Sequence, residues 1–423
     1  MAQSTRPPGF YRDHDRHHDA LVCDGVPLSA IAAAEGTPLY VYSAAVLRER
    51  YQAIDRAFQG YPHALHYALK ANSSLAIARL LRELGSAVDA NSVWEIEVAR
   101  KAGFAPSHIV FTGVGKTPEE LESAAALGVK AINVESAGEL ARLEAIGSRL
   151  GRAVRVAIRV NPDIDAKSHP HISTGLKINK FGVPLDDART LLQTLTTRPF
   201  LKLVAIHVHV GSQITSLDPL RRAATLAAGV SHELQQRGFA LEYVDVGGGL
   251  GVSYDGGAVP SPAEYVGALV EAVKHTGLPI VVEPGRSIAA AAGVLLARVI
   301  DVKPRTAESE FIIIDAGMTE LLRPALYGAF HRIEPVDAAA SGDRHYEIVG
   351  PVCESSDVVG RDRMLPALQA GDVVAIRDAG AYGSAMASNY NRRPLPAEVL
   401  VDAGAWRVIR RRQTIDDQLA LET

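Results

Sequence analysis

Short apolar runs alternate with amphipathic stretches between about residue 64 and residue 285. Eight of the runs are rich in Val, Ile and Ala and almost continuously apolar, as expected of parallel strands covered on both faces. They are Ala64 to Leu69, Ala87 to Ala90, Ile109 to Thr112, Ala131 to Val134, Val154 to Val160, Leu203 to Val210, Tyr243 to Val246 and Pro279 to Val282. Because eight such strands close a (β/α)8 barrel, the pattern predicts an α/β fold with a TIM-type barrel over residues 36–290.

The segments between these strands have the apolar spacing of amphipathic helices. They include Glu95 to Ala102, Pro118 to Leu127, Ser136 to Leu150, Leu185 to Leu195, Pro219 to Arg237 and Pro262 to His275. Thr117 precedes Pro118, and Glu120 follows three residues after Thr117. This order predicts a capped helix start with proline at the first helical position.

The pattern changes after about residue 290 to strands with turn signals and little helix. The predicted strands are Val294 to Val302, Phe311 to Ile314, Tyr346 to Val349, Val373 to Ile376 and Val399 to Ile409. Residues 291–423 are therefore predicted to form a second, mainly β domain. Residues 1–35 are too few for a separate domain, and we expect them to contribute to this β domain.

Composition narrows the possible environment and partners of the protein. The chain has 423 residues, 44 basic against 48 acidic residues and a net charge of −4, with no basic stripe for nucleic acid. No apolar run reaches the roughly 18 residues of a membrane span. The two cysteines, Cys23 and Cys353, indicate a reducing compartment, and residues 1–20 lack a signal-peptide pattern. These features predict a cytoplasmic protein.

Polar residues gather where the predicted barrel strands end, and barrels of this kind carry their chemistry there. Lys70 follows the first strand. A lysine in this position is ordinarily a solvated side chain, but it is also a candidate Schiff-base former. The other polar strand ends are Asp89 to Ser92, Arg159 to Pro162, His207 to Gln213, Asp245 to Gly251 and Glu283 to Arg286.

His207 and His209 are two residues apart on a predicted strand and would therefore face the same side. This is the spacing of a metal-binding pair, but a metal requires further ligands. Since no other histidine ends a barrel strand, we predict no metal site.

The loops after the seventh and eighth strands commonly hold phosphate in such barrels. Here they contain Gly247 to Gly251 and Glu283 to Arg286. A glycine run alone signals only a tight turn, but at this position it lets backbone N–H groups approach an anion. Phosphate would repel Glu283, which is better placed against a cationic ring nitrogen. A phosphate site at one end and a carboxylate at the other indicate pyridoxal phosphate as the cofactor.

Several motifs in a fixed order carry a family resemblance that covers roughly residues 40 to 415. They are Tyr67 to Asn72, Ile172 to Gly182, His207 to Gln213, Gly247 to Gly251, Glu283 to Arg286, Arg323 to Gly328, Gly350 to Asp357 and Ala379 to Ser384. With these motifs the chain resembles the alanine-racemase-like, fold-type III decarboxylases that depend on pyridoxal phosphate. One departure is the stretch Asn91 to Trp94, where many members have glycine.

The resemblance implies a role for each matching residue toward the cofactor. Lys70 would bind pyridoxal 5'-phosphate as a Schiff base, His209 would stack on the ring, and Glu283 would pair with the pyridine nitrogen. The other cofactor-binding residues that it implies are Ser212, Gly249, Pro284, Gly285, Arg286 and Tyr382. Asp89 and Arg159 match supporting positions more loosely.

The resemblance also implies decarboxylation of an amino acid, with Cys353 as the proton donor. A free cysteine is otherwise most often a buried apolar residue. The implied substrate-binding residues are Arg286, Arg323, Tyr327, Glu354 and Tyr382. A substrate with an ammonium alone at its far end needs only an acidic pocket, whereas meso-2,6-diaminopimelate presents both an ammonium and a carboxylate. The presence of both Glu354 and Arg323 favours diaminopimelate.

Three other functions are alternatives to this prediction. One is decarboxylation of ornithine, arginine or carboxynorspermidine, and another is amino-acid racemisation, which needs a second base opposite Lys70. The third is a barrel that binds without catalysis, which predicts missing catalytic groups, whereas Lys70, His209, Glu283 and Cys353 are all present. The resemblance further implies a homodimer in which Cys353 and Glu354 reach the neighbouring subunit's active site.

Overall fold

The computed structural model describes residues 9–15, 17, 19–165, 174–175, 179–337 and 342–423. Much of the predicted motif Ile172 to Gly182 lies outside the described residues. The chain divides into two compact units. The first comprises Tyr51–Ser253 and Ala258–Ser287, and the second comprises Met1–Arg50, Tyr254–Gly257 and Ile288–Thr423.

The first unit is built on a closed ring of eight parallel strands. In order they are His63–Ala68, Ala87–Ala90, Ile109–Phe111, Ala131–Val134, Val154–Asn161, Leu201–His207, Tyr243–Asp245 and Ile280–Val282. The eighth strand pairs in parallel with the first, which closes the ring. A two-residue strand, Val183–Pro184, adds to the end of the fifth. The predicted TIM-type barrel is therefore confirmed.

Helices follow the barrel strands, as the amphipathic spacing predicts. They are Leu75–Glu83, Val93–Ala102, Pro118–Leu127, Ala137–Leu150, Leu185–Thr194, Leu217–Gln236 and Pro262–Val273. The predicted cap is confirmed, since Thr117 Oγ1 accepts from the Glu120 N–H at 3.2 Å and Glu120 Oε2 accepts from the Thr117 N–H at 3.0 Å. Among the described residues, no helix has the length and apolar character needed to cross a membrane.

The barrel strands bury polar side chains as well as apolar ones. Apolar packing includes Val204, Ala205 and Val281, which belong to one core cluster. Six polar residues on the strands or directly at their ends are at most 4% exposed, namely His66, Asp89, Asn133, His207, Asp245 and Glu283. Burying polar groups costs free energy unless they find partners, so this concentration marks a candidate functional region.

The second unit is mainly β, which confirms the prediction of a mainly β domain beside the barrel in the sequence. Its large sheet has nine strands: Leu39–Ser43, Gly293–Pro304, Ser309–Ile314, Ile333–Pro335, Asp343–Val349, Val358–Pro366, Val373–Ile376, Ala397–Asp402 and Ala405–Arg410. The described α-helices that lie wholly within this unit are Leu28–Glu35, Arg323–Tyr327 and Ile415–Leu419. A longer helix, Ala44–Ala57, contains the sequence boundary between the units.

The single strand predicted over Val399 to Ile409 is wrong. The structure has two antiparallel strands there, Ala397–Asp402 and Ala405–Arg410. Ala403 and Gly404 connect them with φ values of 51° and 81°. Positive φ at both residues gives a hairpin turn whose twist matches the flanking strands. The sequence gives little sign of this turn, because it is only two residues long and both residues, Ala403 and Gly404, are small and uncharged.

The N-terminal segment forms a sheet of its own within the second unit. Its strands are Phe10–Asp13, Ala20–Cys23 and Val26–Pro27, and they pair only with one another among the described strands. The N-terminal strand of the nine-stranded sheet is instead Leu39–Ser43, which pairs with Gly293–Pro304 and Ala397–Asp402. Leu39–Ser43 falls inside the range 36–290 that the sequence pattern assigned to the barrel.

Candidate active site

Lys70 lies in a single 3-10 turn, Leu69–Ala71, directly after the first barrel strand. Its Nζ is 3.5 Å from Asp89 Oδ2, and the lysine side chain is 36% exposed while that of Asp89 is fully buried. The Ala68 N–H donates to Pro284 O at 3.2 Å, which ties this turn to the loop after the eighth strand. The turn thus presents an accessible amine beside a buried carboxylate, a setting suited to reaction with a carbonyl group.

Glu283 follows the eighth strand and is only 4% exposed. Both of its carboxylate oxygens lie 3.4 Å from His207 Nε2. Burial opposes ionisation of Glu283, but the positive charges that His207 and Lys70 can carry outweigh it and lower the pKa of Glu283 below its ordinary value. Glu283 is therefore the ionised carboxylate of this region.

Asp89 and Asp245 show the opposite behaviour. Burial and the negative charge of Glu283 raise the pKa of Asp89, and the same two causes raise the pKa of Asp245 well above its ordinary value. Buried carboxyl groups held close together oppose one another's ionisation, so a negative charge on Glu283 disfavours ionisation of Asp89 and Asp245. The environment assigns the charge to Glu283.

His209 lies two residues beyond the end of the sixth strand and is half-buried. Its Nδ1 accepts from the Gly248 N–H at 3.2 Å, so a neutral ring carries its proton on Nε2. Desolvation and the charge of Lys70 hold the pKa of His209 well below its ordinary value. The contact requires glycine at position 247, where φ is +66° and a Cβ would lie 2.8 Å from His209 Nδ1. His209 is thus a neutral ring fixed in one tautomer.

A hydroxyl and a guanidinium meet beside the loops after the sixth and eighth strands. Arg286 donates to Ser212 Oγ from Nη2 at 3.0 Å and from Nε at 3.3 Å. Gly249 brings the neighbouring loop close, since a Cβ there would lie 2.7 Å from Gly211 O. Gly285 packs so tightly that a Cβ would lie 2.9 Å from the Ala71 Cβ. Ser212 and Arg286 together form a donor pair suited to an anion such as phosphate.

The two supporting residues Asp89 and Arg159 differ in their surroundings. Asp89 contacts Lys70 and accepts from Asn91 Nδ2 at 3.2 Å. Arg159 is buried, donates to Glu135 Oε1 at 2.6 Å and lies over the Phe181 ring. Asp89 therefore acts directly on Lys70, whereas Arg159 contacts the structural residues Glu135 and Phe181.

The stretch Asn91 to Trp94, which departs from the family pattern, begins a helix. Ser92 Oγ accepts from the Glu95 N–H at 3.2 Å, and Glu95 Oε2 accepts from the Asn91 N–H at 2.6 Å. Trp94 is 78% exposed. These contacts give the variant stretch a capping role at the start of Val93–Ala102.

The second unit contains Arg323, a predicted substrate-binding residue. Arg323 is 5% exposed and donates from Nη1 to His331 Nε2 at 2.7 Å. His331 Nδ1 lies 2.7 Å from Arg377 O and must donate to it, which leaves Nε2 as the acceptor for Arg323. The Arg323 guanidinium also lies over the Tyr254 ring, 4.5 Å from its centroid. A neutral histidine and an aromatic ring thus fix the orientation of Arg323.

Cys353 and Glu354 lie in an exposed loop of the second unit. The Cys353 N–H donates to Asn391 Oδ1 at 3.2 Å, and Glu354 Oε1 accepts from the Tyr390 hydroxyl at 2.7 Å. The buried Asp357 shapes this loop, since its Oδ2 accepts from the Val352 N–H at 2.7 Å. The thiol and carboxylate are therefore presented to solvent by a loop that is held from its base.

The two tyrosines assigned to the substrate are both half-buried. Tyr327 ends the helix Arg323–Tyr327. Tyr382 has a φ of 55°, a left-handed conformation that is uncommon outside glycine and asparagine. Such a conformation often marks a functional turn.

The structure therefore groups the predicted residues within each unit. Lys70, His209 and Glu283 lie within electrostatic range of one another, and Ser212 contacts Arg286. Sequence reasoning did not assign His207 to Glu283, His331 to Arg323 or Tyr390 to Glu354. The predicted motifs contained His207, but no sequence signal named its partner.

Comparisons with known proteins identify relatives over nearly the whole chain. Residues 44–290 match the family model of the pyridoxal-dependent decarboxylases, pyridoxal binding domain. Diaminopimelate decarboxylase of Vibrio cholerae is 45% identical over 404 residues, which cover 95% of this chain and 96% of that protein. The corresponding protein of Pseudomonas aeruginosa is 43% identical over 98% of both chains.

Solved structures give the same result. Diaminopimelate decarboxylase of Helicobacter pylori, crystallised with L-lysine, superposes with a TM-score of 0.90 at 42% identity and covers 93% of this chain and 98% of its own. Diaminopimelate decarboxylase from m. jannaschii, also in complex with L-lysine, gives a TM-score of 0.92 at 35% identity over 98% of both chains.

Proposed function

Because the chain belongs to the diaminopimelate decarboxylase family of pyridoxal-dependent decarboxylases, we propose that its barrel strand ends form the catalytic site of that reaction. The reaction is the decarboxylation of meso-2,6-diaminopimelate to L-lysine and carbon dioxide, the last step of lysine biosynthesis. The observation that carries the assignment is the grouping of Lys70, the ionised Glu283 and the Ser212–Arg286 pair in one barrel.

The residues present fit pyridoxal 5'-phosphate, the cofactor of this family. Lys70 offers an amine for the aldehyde, and Ser212 with Arg286 offers donors for the phosphate. Glu283 Oε1 is buried and makes no hydrogen bond within the described residues, which suits a carboxylate that accepts from a protonated ring nitrogen. An amine, an acceptor and an anion site thus match the three polar ends of one cofactor.

Each barrel residue then has a distinct task. Bound pyridoxal phosphate supplies an electron sink for the pair released when the bond to the carboxylate breaks. Lys70 would hold the cofactor through its aldehyde, and Asp89 orients the lysine. Glu283 holds a proton at the ring nitrogen. The neutral ring of His209 covers the cofactor face without adding a competing positive charge.

Residues of the second unit complete the proposal by resemblance to the family. Cys353 gives its thiol proton to the carbon from which carbon dioxide has left, and solvent then reprotonates the thiolate. Arg323 and Tyr327 bind the distal carboxylate of the substrate, Glu354 binds its distal ammonium, and Tyr382 contacts both cofactor and substrate. The buried, aligned guanidinium of Arg323 supports this choice, because a planar fork binds a carboxylate through two hydrogen bonds.

A product assay tests the assigned reaction. Purified protein reconstituted with pyridoxal phosphate should convert meso-diaminopimelate to lysine with one equivalent of carbon dioxide, and should act far less on ornithine and arginine. Chiral analysis should find L-lysine only. Turnover of ornithine without lysine formation from diaminopimelate would overturn the substrate assignment. Racemised diaminopimelate without release of carbon dioxide would overturn the reaction.

We also propose a homodimer in which Cys353 and Glu354 act in the active site of the partner subunit. Cys353 and the loop that carries it are exposed, which supports this proposal. A proton donor must be shielded from water to protonate one carbon of the substrate, and a partner subunit would provide that shielding. Asp357 fixes the base of this loop through its hydrogen bond from the Val352 N–H. The loop therefore keeps Cys353 and Glu354 available to a second subunit.

Complementation between inactive variants tests the shared site. Lys70→Ala and Cys353→Ala chains should each be inactive as homodimers. Mixed dimers should have about half of the wild-type activity, because one of their two sites is intact, and a random mixture, in which half of the dimers are mixed, should have roughly a quarter. Mixed dimers verified by two affinity tags provide the measurement. Verified mixed dimers without activity would show that each chain completes its own site.

A cytoplasmic location is the last part of the proposal. Cys23 and Cys353 both remain free thiols, one buried and the other exposed. An exposed thiol with an assigned proton-transfer task needs a reducing compartment.

A further inference from the structure

Glu283 has a close partner, His207, to which the proposed reaction assigns no task. His207 is the last residue of the sixth strand and is fully buried. Its Nε2 lies 3.4 Å from each carboxylate oxygen of Glu283. An ionised carboxylate can only accept a hydrogen bond, so His207 carries a proton on Nε2 and donates it toward Glu283.

The other polar groups that face Glu283 are unable to perform the same task. They are Lys70 after the first strand, Asp89 on the second, His209 after the sixth and Asp245 on the seventh. Lys70 is committed to the cofactor aldehyde and lies against Asp89. His209 Nδ1 already accepts from the Gly248 N–H, Asp89 contacts Lys70, and Asp245 accepts from the Gly247 N–H. His207 is therefore the donor left to stabilise the charge on Glu283.

We propose that His207 is a positioning residue that keeps Glu283 ionised and aimed at the ring nitrogen of the bound cofactor. The inference rests on the proposed function of Glu283. A hydrogen bond from His207 lowers the proton affinity of the carboxylate, so the proton shared between Glu283 and the ring remains on nitrogen. Protonated nitrogen makes the ring the stronger electron acceptor.

The barrel also contains a matched histidine without this contact. His66, on the first strand, is fully buried, and neither of its ring nitrogens has a hydrogen-bond partner within the described residues. Burial, together with the charge of Lys130, lowers the pKa of His66 to about 3. His66 therefore shows what a buried, neutral histidine of the same barrel contributes, namely packing.

The experiment locates the ring proton directly. Wild type, His207→Leu, His207→Gln and His66→Leu are reconstituted with pyridoxal phosphate labelled with ¹⁵N in the ring, and the ¹⁵N chemical shift of each holoprotein is recorded. We expect the wild-type shift of a protonated ring nitrogen. In H207L the ratio of nitrogen-bound to carboxyl-bound proton should fall about tenfold, equivalent to one pKa unit, and kcat should fall with it.

The conservative variant and the control separate positioning from packing. In H207Q the side-chain amide can still donate to Glu283, so the ¹⁵N shift should lie between those of wild type and H207L. H66L should lower the unfolding temperature to a similar extent as H207L but keep the wild-type ¹⁵N shift. If H207L does not fold, His207→Met, which also lacks a donor, takes its place: a ¹⁵N shift displaced from that of wild type supports the inference, and an unchanged shift overturns it.

Three further outcomes would contradict the inference in distinguishable ways. An unprotonated ring nitrogen in wild type would overturn the proposed task of Glu283 itself. A protonated wild type with an identical shift in H207L would overturn the task of His207 alone. The third outcome involves metal, because the polar atoms of His207, Asp245 and Glu283 lie within 4.8 Å of one another. One equivalent of metal in purified wild type, absent from H207L, would make the cluster a metal site and overturn the proposal.

Discussion

Lys70→Ala is expected to abolish covalent attachment of the cofactor and to lower kcat by about 10³-fold or more, because the amine both binds the cofactor and moves protons. Lys70 Nζ is held at the strand end beside Asp89, and Asp89 Oδ2 is 3.5 Å away. Borohydride reduction followed by mass spectrometry gives the measurement. Wild type should gain the mass of one reduced cofactor on the peptide that contains Lys70, and the variant should gain none.

Lys202→Ala provides a matched control for this prediction. Lys202 lies on the sixth barrel strand, is exposed and pairs with Glu242 at 2.9 Å. Because Lys202 is near the start of its strand rather than the end, its loss should leave both attachment and kcat unchanged. A Lys70→Ala protein that still gains the cofactor mass on reduction would assign the attachment to another lysine.

Glu283→Gln is expected to lower kcat by about 10²- to 10³-fold with a smaller effect on KM. Glutamine keeps the size of the side chain but removes the negative charge that holds a proton at the ring nitrogen. The loss should therefore concern the chemical step more than binding. Steady-state kinetics with diaminopimelate measures this, and a KM that rises as much as kcat falls would indicate a general structural defect instead.

The matched control for Glu283 is Asp245→Asn, a change in the same buried cluster. Burial and Glu283 raise the pKa of Asp245 well above its ordinary value, so Asp245 is protonated and an amide resembles it closely. We expect kcat to change by no more than about threefold, since Asn can keep the hydrogen bond from the Gly247 N–H at 3.0 Å. A loss as large as that of E283Q would contradict the division of charge between the two residues.

The interaction between Glu283 and Asp245 also predicts how the stability of the folded protein depends on pH. Asp245 keeps its proton in the folded state at pH values where the unfolded chain has lost it. The folded state then binds more protons, so the contribution of Asp245 is fully present below its unfolded pKa and is lost as pH rises toward its folded value. Asp245→Asn should flatten this part of the stability profile, measured by denaturant unfolding of the protein without cofactor.

The positions of Lys70 and Glu283 could be predicted because barrel geometry converts a place in the sequence into a place in space. Residues that end parallel strands meet at one edge of the ring, whatever their separation in the chain. An apolar run followed by Lys70 and another followed by Glu283 therefore identified two neighbours. The strand pattern alone carried that information.

Partners within the site depend on details that the apolar pattern does not contain. The spacing of His207 and His209 predicted a common face of one strand, but the strand ends at His207. His209 then turns to Gly248, while His207 faces Glu283. This divergence is set by the loop after the seventh strand, where Gly247 allows a close approach that no periodicity reveals.

The second unit was harder to predict for a different reason. Its nine-stranded sheet joins segments from distant parts of the chain, such as Leu39–Ser43 and Ala397–Asp402. Apolar runs identify strands but not their pairing, so the early strand was assigned to the barrel that follows it. The partners of Arg323 and Glu354 are hidden in the same way, because His331 and Tyr390 have no distinguishing local pattern.

Closure of the ring between the eighth strand and the first has a consequence for how the protein matures. The hydrogen bond from the Ala68 N–H to Pro284 O joins the opening and final segments of the barrel, and Lys70 and Glu283 lie immediately beyond them. A nascent chain that has not yet made its last barrel strand holds Lys70 and Asp89 but lacks Glu283. Contacts this distant in sequence form late in folding. Tight binding of pyridoxal phosphate therefore requires a closed barrel. Because the cofactor binds only this state, it stabilises the folded protein relative to partly folded chains.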